Sequence, residues 1–250
     1  MKVVTFNIRC DYKQDGENDF EFRKPFVLKK LEEEQPDIIG FQEVLPHVAD
    51  WLKENLTDYY IIGCGREGDL TGEQTCIAYD KNLFNLVKME TFWLSATPDV
   101  PGSRYENQSD CPRTCTVVYL HDLRTSKAVR IYNTHLDHIG SEARRLGLDQ
   151  IMKKINQEDF LGKIPFVLMG DFNALPESEE MEVLKEYVDI YDCTADITGT
   201  FHDYGRLSQE EKIDYIIADR SLICKEAVKW TDCEAGVYLS DHYPVSAVVD

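Results

Sequence analysis

The 250-residue sequence lacks the segments that would tie it to a membrane or to a serine-hydrolase fold. No stretch approaches the ~18 consecutive apolar residues that a bilayer-spanning helix needs. The N-terminus, Met1 to Asn7, alternates like a strand and has no charged region followed by a long apolar core, so no signal peptide is expected. The absence of a Gly-x-Ser-x-Gly elbow disfavours a metal-free serine hydrolase.

Paired cysteine motifs are also missing. None of the eight cysteines forms a Cys-x-x-Cys pair. Cys111 and Cys115 are the closest two in sequence, and a single pair is too few for a structural zinc site. We therefore expect reduced, partly buried thiols in a cytoplasmic protein, with secretion still open if a signal peptide was removed ahead of this numbering.

Positive charge is scarce. The chain has 27 Lys and Arg against 46 Asp and Glu, which gives a net charge of −19 at pH 7. This balance argues against a broad basic face that coats duplex DNA, and no basic patch or amphipathic docking helix suggests a membrane partner. It does not exclude short nucleic acids, a small basic pocket, or a cation that reverses the field inside one cleft.

Linkers, repeats and low-complexity tracts are absent, so residues 1–250 are expected to form a single domain. Hydrophobic residues make up 43% of the chain, which is ample for a core. Short apolar, β-branched runs recur along the whole length and predict strands. These runs are Val3–Ile8, Ile38–Phe41, Tyr59–Ile62, Cys76–Tyr79, Thr116–Leu120, Val129–Asn133, Phe166–Met169, Ile213–Ile217 and Pro244–Val249.

Amphipathic stretches between some of these runs predict helices. They cover Arg23–Glu34, Pro46–Leu56, Ser141–Asn156 and Glu179–Tyr187. Since several strand pairs are joined without an intervening helix, we expect two mixed sheets packed face to face with helices outside. The segment Thr91–Arg113 is predicted to be a long, Pro-rich, irregular loop that forms the wall or lid of a site.

Polar residues cluster where the predicted strands end. Most have an ordinary explanation singly: an Asn after a strand is usually a turn former, and a lone His is more often a satisfied surface or core residue. Asp214 is unusual because Ile213 and Tyr215 flank it, and a buried carboxylate needs a partner. The strand ends carry Asn7-Ile8-Arg9, Gln42-Glu43-Val44, Asn133-Thr134-His135-Leu136-Asp137-His138, Gly170-Asp171-Phe172-Asn173 and Ser240-Asp241-His242.

In order and spacing, these motifs resemble the endonuclease/exonuclease/phosphatase superfamily over essentially the whole chain, from Asn7 to His242. Four segments are similar to a bacterial subgroup of unassigned substrate: Phe92-Trp93-Leu94-Ser95, Cys111-Pro112-Arg113, residues 134–138 and residues 170–173. The resemblance implies a DNase I-like fold, a four-layer α/β/β/α sandwich of two mixed, mainly antiparallel sheets. It also implies a metal-dependent hydrolase of phosphate esters.

The resemblance implies a metal site at one end of the chain's first two strands. Glu43 matches the metal-binding carboxylate of the family, Asn7 matches the amide beside it, and Asp241 matches an acid placed near the metal. Arg9 stands where some DNA-repair members carry an acid that helps to hold metal. This departure weakens the case for a second metal and leaves Arg9 as a candidate substrate-binding residue.

The remaining matches imply catalytic groups. Asp171 matches the acid that activates or orients the attacking water, and Asn173 matches an amide that contacts phosphate or water. His242 and His135 match histidines on the phosphate side. Asp214 matches the acid that hydrogen-bonds His242, which would give this flanked carboxylate its partner.

Phosphate-ester hydrolysis accounts for this set of residue types. The ester is an anion that repels hydroxide, and Mg²⁺ (or Mn²⁺) held by one or two carboxylates neutralises it best. A carboxylate beside His242 would raise the pKa of that ring and favour its protonated form. Arg113 could clamp a phosphate bidentately, and His138 and His202 are predicted to line the cleft.

The leading hypothesis is a divalent-metal-dependent phosphoesterase that cleaves a phosphodiester or phosphomonoester by in-line attack of water. The alternative within enzymes is a 3′→5′ exonuclease or an endonuclease acting on short or single-stranded nucleic acid. From a different class comes an inactive phosphate-binding module, which would predict the loss of at least one key side chain. The sequence leaves the oligomeric state open.

Overall fold

The computed structural model describes residues 1–157, 163–187 and 189–250. Within these ranges the strands are, in chain order, β1 (Lys2–Asn7), β2 (Ile38–Val44), β3 (Tyr59–Ile62), β4 (Gln74–Asp80), β5 (Phe84–Trp93), β6 (Thr114–Asp122), β7 (Lys127–His135), β8 (Phe166–Asp171), β9 (Ile190–Asp192), β10 (Asp214–Asp219), β11 (Cys224–Lys229), β12 (Cys233–Glu234), β13 (Val237–Tyr238) and β14 (Val245–Val249). The helices are α1 (Phe20–Glu34), α2 (Pro46–Asn55), α3 (Ser141–Gln157) and α4 (Glu182–Lys185), with short 3₁₀ turns at Gly16–Asn18 and Glu179–Met181.

The strands form two six-stranded sheets. The first sheet has the order β11-β14-β1-β2-β4-β3, and the second has the order β5-β6-β7-β8-β10-β9; β12 and β13 form a separate hairpin. Each large sheet is antiparallel apart from one parallel pair, β1 with β2 and β7 with β8. Helices α1 and α3 supply the crossovers that these parallel pairs require.

Three apolar clusters define the layers. Val27 of α1 and Leu52 of α2 pack against the outer face of the first sheet. Ile151 of α3 packs against the outer face of the second sheet. Between the sheets lies a third cluster that includes Val3, Ile38, Val167 and Ile216. This order confirms the predicted α/β/β/α sandwich of two mixed, mainly antiparallel sheets.

The space between the sheets changes from apolar to polar along the strands. In β1, Val3 joins the inter-sheet core while Val4 and Phe6 join the cluster under the helices. Because side chains alternate along a strand, Thr5 and Asn7 share the inter-sheet face with Val3. The carboxyl end of β1 therefore carries polar side chains into the interior of the sandwich.

A buried amide network joins the two sheets below this polar end. Asn133 of β7 donates hydrogen bonds of 2.8 Å to the carbonyl oxygens of Phe41 and Cys76 and accepts one of 2.7 Å from Gln42. Gly40 leaves the room that this contact needs, since a Cβ atom there would lie 2.8 Å from Oδ1 of Asn133. The network satisfies buried backbone groups on one sheet with a side chain from the other.

Five strands, β5, β9, β11, β12 and β13, were not predicted from the sequence. Strand β5 includes Thr91–Trp93, so the irregular segment begins at Leu94 and the prediction for its first three residues was wrong. Strands β5 and β11 lie at the sheet edges and expose many of their side chains, so neither shows a continuous apolar run. The helix predicted over Glu179–Tyr187 is a 3₁₀ turn followed by the one-turn helix α4.

Two further observations concern the cysteines and the helices. All eight cysteines, each within the described ranges, are free thiols. None of the described helices combines the length and apolar character that crossing a bilayer demands.

The amide network yields a stability prediction. Replacing Asn133 with Ala removes a donor from two buried carbonyls and one of three acceptors from the Gln42 amide, so we expect a loss of about 2–4 kcal/mol in the free energy of unfolding. Urea unfolding followed by circular dichroism measures it. Asn55→Ala removes an exposed amide that donates to the Trp51 carbonyl, and it should change stability by less than about 0.5 kcal/mol. Equal effects of the two substitutions would contradict the role of the network.

Candidate active site

The topology brings the predicted residues to one edge of the sandwich. Asn7, Glu43, His135 and Asp171 lie at or near the carboxyl ends of β1, β2, β7 and β8. Asp214 begins β10, which runs antiparallel to β8 and pairs Asp214 with Asp171. His242 precedes β14, which runs antiparallel to β1 and therefore reaches the same edge. Glu43, His135, Asp171 and His242 line an open cavity of about 690 Å³, and Asn7 and Asp214 hydrogen-bond to members of this lining.

The side-chain amide of Asn7 lies at the centre of the site. Its Nδ2 group donates to Oε1 of Glu43 at 3.0 Å and to Oδ2 of Asp171 at 3.0 Å. Nε2 of His242 lies 3.5 Å from the same nitrogen. One amide from the first sheet thus holds a carboxylate of its own sheet beside a carboxylate of the second sheet.

Three site residues have left-handed backbone conformations that non-glycine residues rarely adopt: Arg9 (φ 63°), Glu43 (φ 62°) and Asn173 (φ 49°). The turns direct backbone N–H groups at the site. The Arg9 N–H donates to Oδ1 of Asn7 at 3.0 Å, and the Asn173 N–H donates to Oδ1 of Asp171 at 2.9 Å. Backbone strain of this kind is concentrated at functional sites.

Gly170 permits the close approach of β7 and β8 beside Asp171. Its φ is 151°, and a Cβ atom would lie 2.0 Å from the carbonyl oxygen of Thr134. Any side chain here would push the two strands apart. Because His135 and Asp171 end these strands, their 3.5 Å separation (Nε2 to Oδ2) depends on this glycine.

His242 and Asp214 form a buried pair. Nδ1 of His242 donates to Oδ2 of Asp214 at 2.9 Å, and both side chains are almost fully buried. Burial by itself would lower the pKa of His242, but the Asp214 carboxylate raises it to about 10, with help from Asp171. The ring is therefore an imidazolium at neutral pH, and its Nε2–H faces Asp171 at 3.8 Å from Oδ2.

The pKa values of the two central carboxyl groups, Asp171 and Glu43, are shifted in opposite directions. Burial and the negative charge of Asp214 raise the pKa of Asp171 to about 7. Burial opposes ionisation of Glu43 as well, but the hydrogen bonds from Asn7 and the Cys10 N–H, with the positive charge of His242, lower the pKa of Glu43 below its usual range. At neutral pH the site thus holds one permanently ionised acid and one acid that can exchange a proton.

The donor set suits a divalent cation. Ligand atoms of Glu43, His135 and Asp171 all lie within 4.8 Å of one another. Burial and the charge of Arg113 lower the pKa of His135 well below its usual value, so its ring is neutral and could ligate. Carboxylate oxygens are preferred by Mg²⁺ and Mn²⁺, and a neutral imidazole nitrogen suits transition metals. These residues therefore fit a hydrated divalent ion.

Two residues predicted at the metal have other partners in the structure. The Asn7 amide nitrogen, and not its oxygen, faces Glu43, because the oxygen accepts from the Arg9 N–H. Asp241 accepts from Oγ of Ser240 at 3.0 Å and pairs with Arg9 at 3.4 Å. Arg9 also binds Asp15 through Nε and Nη2 at 3.1 and 3.2 Å. A guanidinium thus stands beside Asp241, at the cavity wall.

The structure places three of the four predicted substrate-binding residues at the cavity and one away from it. Arg9, Arg113 and His138 line the cavity. His202 does not: its buried ring stacks on Tyr243 with centroids 3.8 Å apart, and Nδ1 accepts from the Gly205 N–H. Stacking on Tyr243, which lies just before β14, thus holds the His202 ring behind the residues that line the cavity.

The sequence analysis overlooked four charged residues of the cavity, namely Arg66, Glu73, Arg144 and Glu211. Arg66 and Glu73 belong to the connection between β3 and β4, and Arg144 belongs to α3. The glycines at positions 65, 68 and 72 indicate a turn around Arg66, but a turn alone does not show that it faces a cleft. Glu73 carries a weak signal, since it precedes the strand that pairs with β2.

Known proteins resemble this chain in sequence and in fold. A sequence model of the Endonuclease/Exonuclease/phosphatase family matches residues 4–242. An uncharacterized protein of Acanthamoeba polyphaga mimivirus is 25% identical over an alignment of 236 residues, and the alignment covers 86% of this chain and 87% of that protein.

Two solved structures of Bacteroides proteins superpose on the whole chain. An endonuclease/exonuclease/phosphatase from Bacteroides vulgatus has a TM-score of 0.92 and 33% identity, covering 100% of this chain and 98% of its own. A mannosyl-6-phosphatase from Bacteroides thetaiotaomicron has a TM-score of 0.90 and 26% identity, covering 100% and 99%. Both similarities extend over the full sandwich and not only over the site motifs.

The His242–Asp214 pair can be tested by titration of the metal-free protein. Because the folded pKa of His242 is raised to about 10, above the ordinary value of ~6.5, the pair stabilises the fold fully below pH ~6.5. This contribution is lost as the pH rises through 10. Asp214→Asn should return the His242 pKa to or below its ordinary range, as measured by NMR of labelled histidine. Exposed Asp50→Asn should leave it unchanged, and a wild-type His242 that titrates near pH 6.5 would contradict the assignment.

Proposed function

This chain belongs to the endonuclease/exonuclease/phosphatase family, and from that membership and the site geometry we propose that it hydrolyses a phosphate ester by in-line attack of water, with a bound divalent cation. One observation supports this proposal above the others: Asn7 holds Glu43 and Asp171 at 3.0 Å each, beside protonated His242. A cation ligand, a base and an acid thus meet at one cavity.

Glu43 would hold the cation. It is the ionised carboxylate of the site, and Asn7 and the Cys10 N–H fix both of its oxygens. A site with one or two carboxylate ligands leaves positions for water and substrate, as Mg²⁺ prefers, and Mn²⁺ accepts the same ligands. When bound, such an ion neutralises the ester and stabilises charge that develops on its oxygens.

Asp171 acts on the attacking water in this proposal. The Asn7 amide and the Asn173 N–H fix its two oxygens, so the carboxylate has a defined orientation. Its pKa of about 7 is near the operating pH, which suits a group that must accept a proton and later release it. Asn173 keeps its own place through a 3.0 Å hydrogen bond to the Leu136 carbonyl.

His242 stabilises the charge that develops on phosphate. Its Nε2–H points to the cavity, and Asp214 both orients the ring and keeps it protonated. His135 is neutral and sits across from His242, where its ring contacts Asp171. Arg9 adds fixed positive charge beside Asp241. These groups are positioned before substrate arrives, which is the condition for electrostatic catalysis.

Two observations favour a small phosphomonoester over nucleic acid. The net charge of −19 opposes an extended nucleic-acid track. The Bacteroides thetaiotaomicron protein, 26% identical over the whole chain, is described as a phosphatase of a mannosyl 6-phosphate. All the side chains whose loss would mark an inactive phosphate-binding module, Glu43, Asp171, Asn173, Asp241 and His242, are present.

The proposal predicts the effect of single substitutions at the site. With Mg²⁺ or Mn²⁺ and a panel of phosphomonoesters, phosphodiesters and short oligonucleotides, Asp171→Asn and His242→Ala should each lower kcat by about 10²–10³. Glu43→Gln should weaken metal binding measured by calorimetry as well as activity. Asp99→Asn replaces an exposed acid and serves as the matched control.

Chelation gives a second readout of the same proposal. Excess EDTA should abolish turnover, and added Mg²⁺ or Mn²⁺ should restore it. Full activity in chelator would refute the metal-dependent mechanism, and degradation of oligonucleotides in preference to every monoester would support a nuclease.

A further inference from the structure

One wall of the cavity carries a charged cluster that the hydrolytic steps leave unused. It consists of Arg66, Glu73, Arg113 and His138, which we call the distal wall. Arg66 and Glu73 come from the connection before β4, Arg113 ends the irregular loop before β6, and His138 follows β7. Three separate segments therefore build it, and the fold must hold each of them in place.

Arg113 is a buried guanidinium with unused donors. Its side chain is 5% exposed, and Nη2 donates to Nδ1 of His138 at 2.8 Å. Nε lies 3.6 Å from Oδ1 of Asp137, an ion pair beyond hydrogen-bond range, and neither Nε nor Nη1 has a hydrogen-bond partner among the described residues. Two buried donors of a charged group without acceptors are costly, which is the pattern expected where a ligand supplies the missing acceptors.

The anchoring of Asp137 keeps this arginine in place. The Asp137 carboxylate accepts from the Ser109 N–H at 3.1 Å, the Ile139 N–H at 3.1 Å and the Gly140 N–H at 2.7 Å. It therefore joins the irregular loop to the turn after β7. The carboxylate beside Arg113 is fixed by these contacts and does not form a bidentate pair with the guanidinium.

His138 presents a neutral donor to the cavity. A guanidinium can only donate, so Nδ1 of His138 must carry a lone pair and Nε2 must carry the hydrogen. The ring is about half exposed and lies at the cavity wall. An uncharged N–H donor of this kind suits a hydroxyl or ether oxygen.

Arg66 and Glu73 add a balanced pair. Nη1 and Nη2 of Arg66 donate to the two carboxylate oxygens of Glu73 at 2.7 and 3.0 Å. The Trp93 indole N–H holds the Arg66 backbone carbonyl at 2.6 Å, which fixes the pair against β5. A second anionic group on a substrate would meet the negative charge of Glu73, whereas a hydroxyl group can donate to Glu73 and accept from Arg113 or His138.

Among its described lining residues, the cavity has no free Phe, Tyr or Trp ring on which a nucleobase could stack. Among the described residues that line it, Phe201 is the one phenyl, phenol or indole side chain, and its ring packs on His242 at 4.8 Å between centroids. Stacking on aromatic rings is the usual way to hold an unpaired base. The wall therefore favours a polar, non-aromatic group.

From these contacts we propose that the distal wall binds the hydroxyl groups of a sugar or polyol whose phosphate ester lies at Glu43, Asp171 and His242. Glu73 accepts from a substrate hydroxyl, and Arg113 and His138 donate to substrate oxygens. The inference rests on the proposed phosphoesterase function and specifies its substrate class.

The test compares two phosphate esters of similar shape. Mannose 6-phosphate carries ring hydroxyls, and cyclohexylmethyl phosphate lacks them. We expect wild-type kcat/KM to favour the sugar phosphate by about 100-fold or more, because a site built to bind hydroxyls rejects an analogue without them. Glu73→Gln and His138→Ala should each reduce this preference by roughly 10-fold or more.

Glu67→Gln is the matched control. Glu67 lies 3.6 Å from Nε of Arg66, but it is not part of the cavity lining, so this variant should keep the wild-type preference. His138 is half exposed, so its substitution leaves the fold intact even if Glu73→Gln does not. Calorimetric titration of Asp171→Asn with each ester and Mg²⁺ measures the same preference without turnover.

The outcomes separate the two proposals. If the wild type with Mg²⁺ or Mn²⁺ hydrolyses neither ester and no other member of the panel, the proposed hydrolytic function fails. If Asp171→Asn is inactive but the wild type treats the two esters alike within about threefold, or both distal-wall variants keep the full preference, the hydroxyl-binding inference is overturned and the hydrolase stands. Cleavage restricted to oligonucleotides would also overturn it.

Discussion

A single amide group holds the functional edge of this protein together. Asn7 lies on the first sheet and donates 3.0 Å hydrogen bonds to Glu43 of the same sheet and to Asp171 of the second sheet. Two neighbouring carboxylates repel each other. In a buried site, a shared hydrogen-bond donor offsets this repulsion. The amide network of Asn133 below them fixes the separation of the two sheets, so the core of the sandwich sets the geometry at its edge.

Several positively charged side chains lie at this edge, although the chain as a whole is acidic. The protein carries a net charge of −19, yet Arg9, Arg66, Arg113 and Arg144 all line one cavity. Protonated His242 adds to them because Asp214 is buried beside it. Fixed cations in this cleft let an acidic protein receive an anionic ligand here. In the distal wall, one of the two arginines, Arg66, is paired with the Glu73 carboxylate, and the other, Arg113, is not.

Some features of the fold and of the candidate site could be predicted from the sequence, and others could not. The strand-end motifs and the family resemblance that they carry implied that Asn7, Glu43, His135, Asp171, Asp214 and His242 form one site. The flanks of Asp214 also predicted burial and a partner, and the structure pairs it with His242 at 2.9 Å. Strands β5 and β11 were missed because edge strands expose their side chains and lose the apolar run that marks a buried strand. His202 was predicted to line the cleft, but stacking on Tyr243 puts its ring behind the cavity wall.

The sequence by itself determined the family, the layered fold and the set of candidate site residues, because strand periodicity and motifs at strand ends are local properties of the chain. Only the tertiary structure decided which partners those side chains have: that Arg9 pairs with Asp241, that the Asn7 amide nitrogen faces the carboxylates, and that Arg66, Glu73, Arg113 and His138 form one wall. These pairings join segments that are far apart in the chain. Their charge states follow from burial and from neighbours across the two sheets, and neither can be worked out from local sequence.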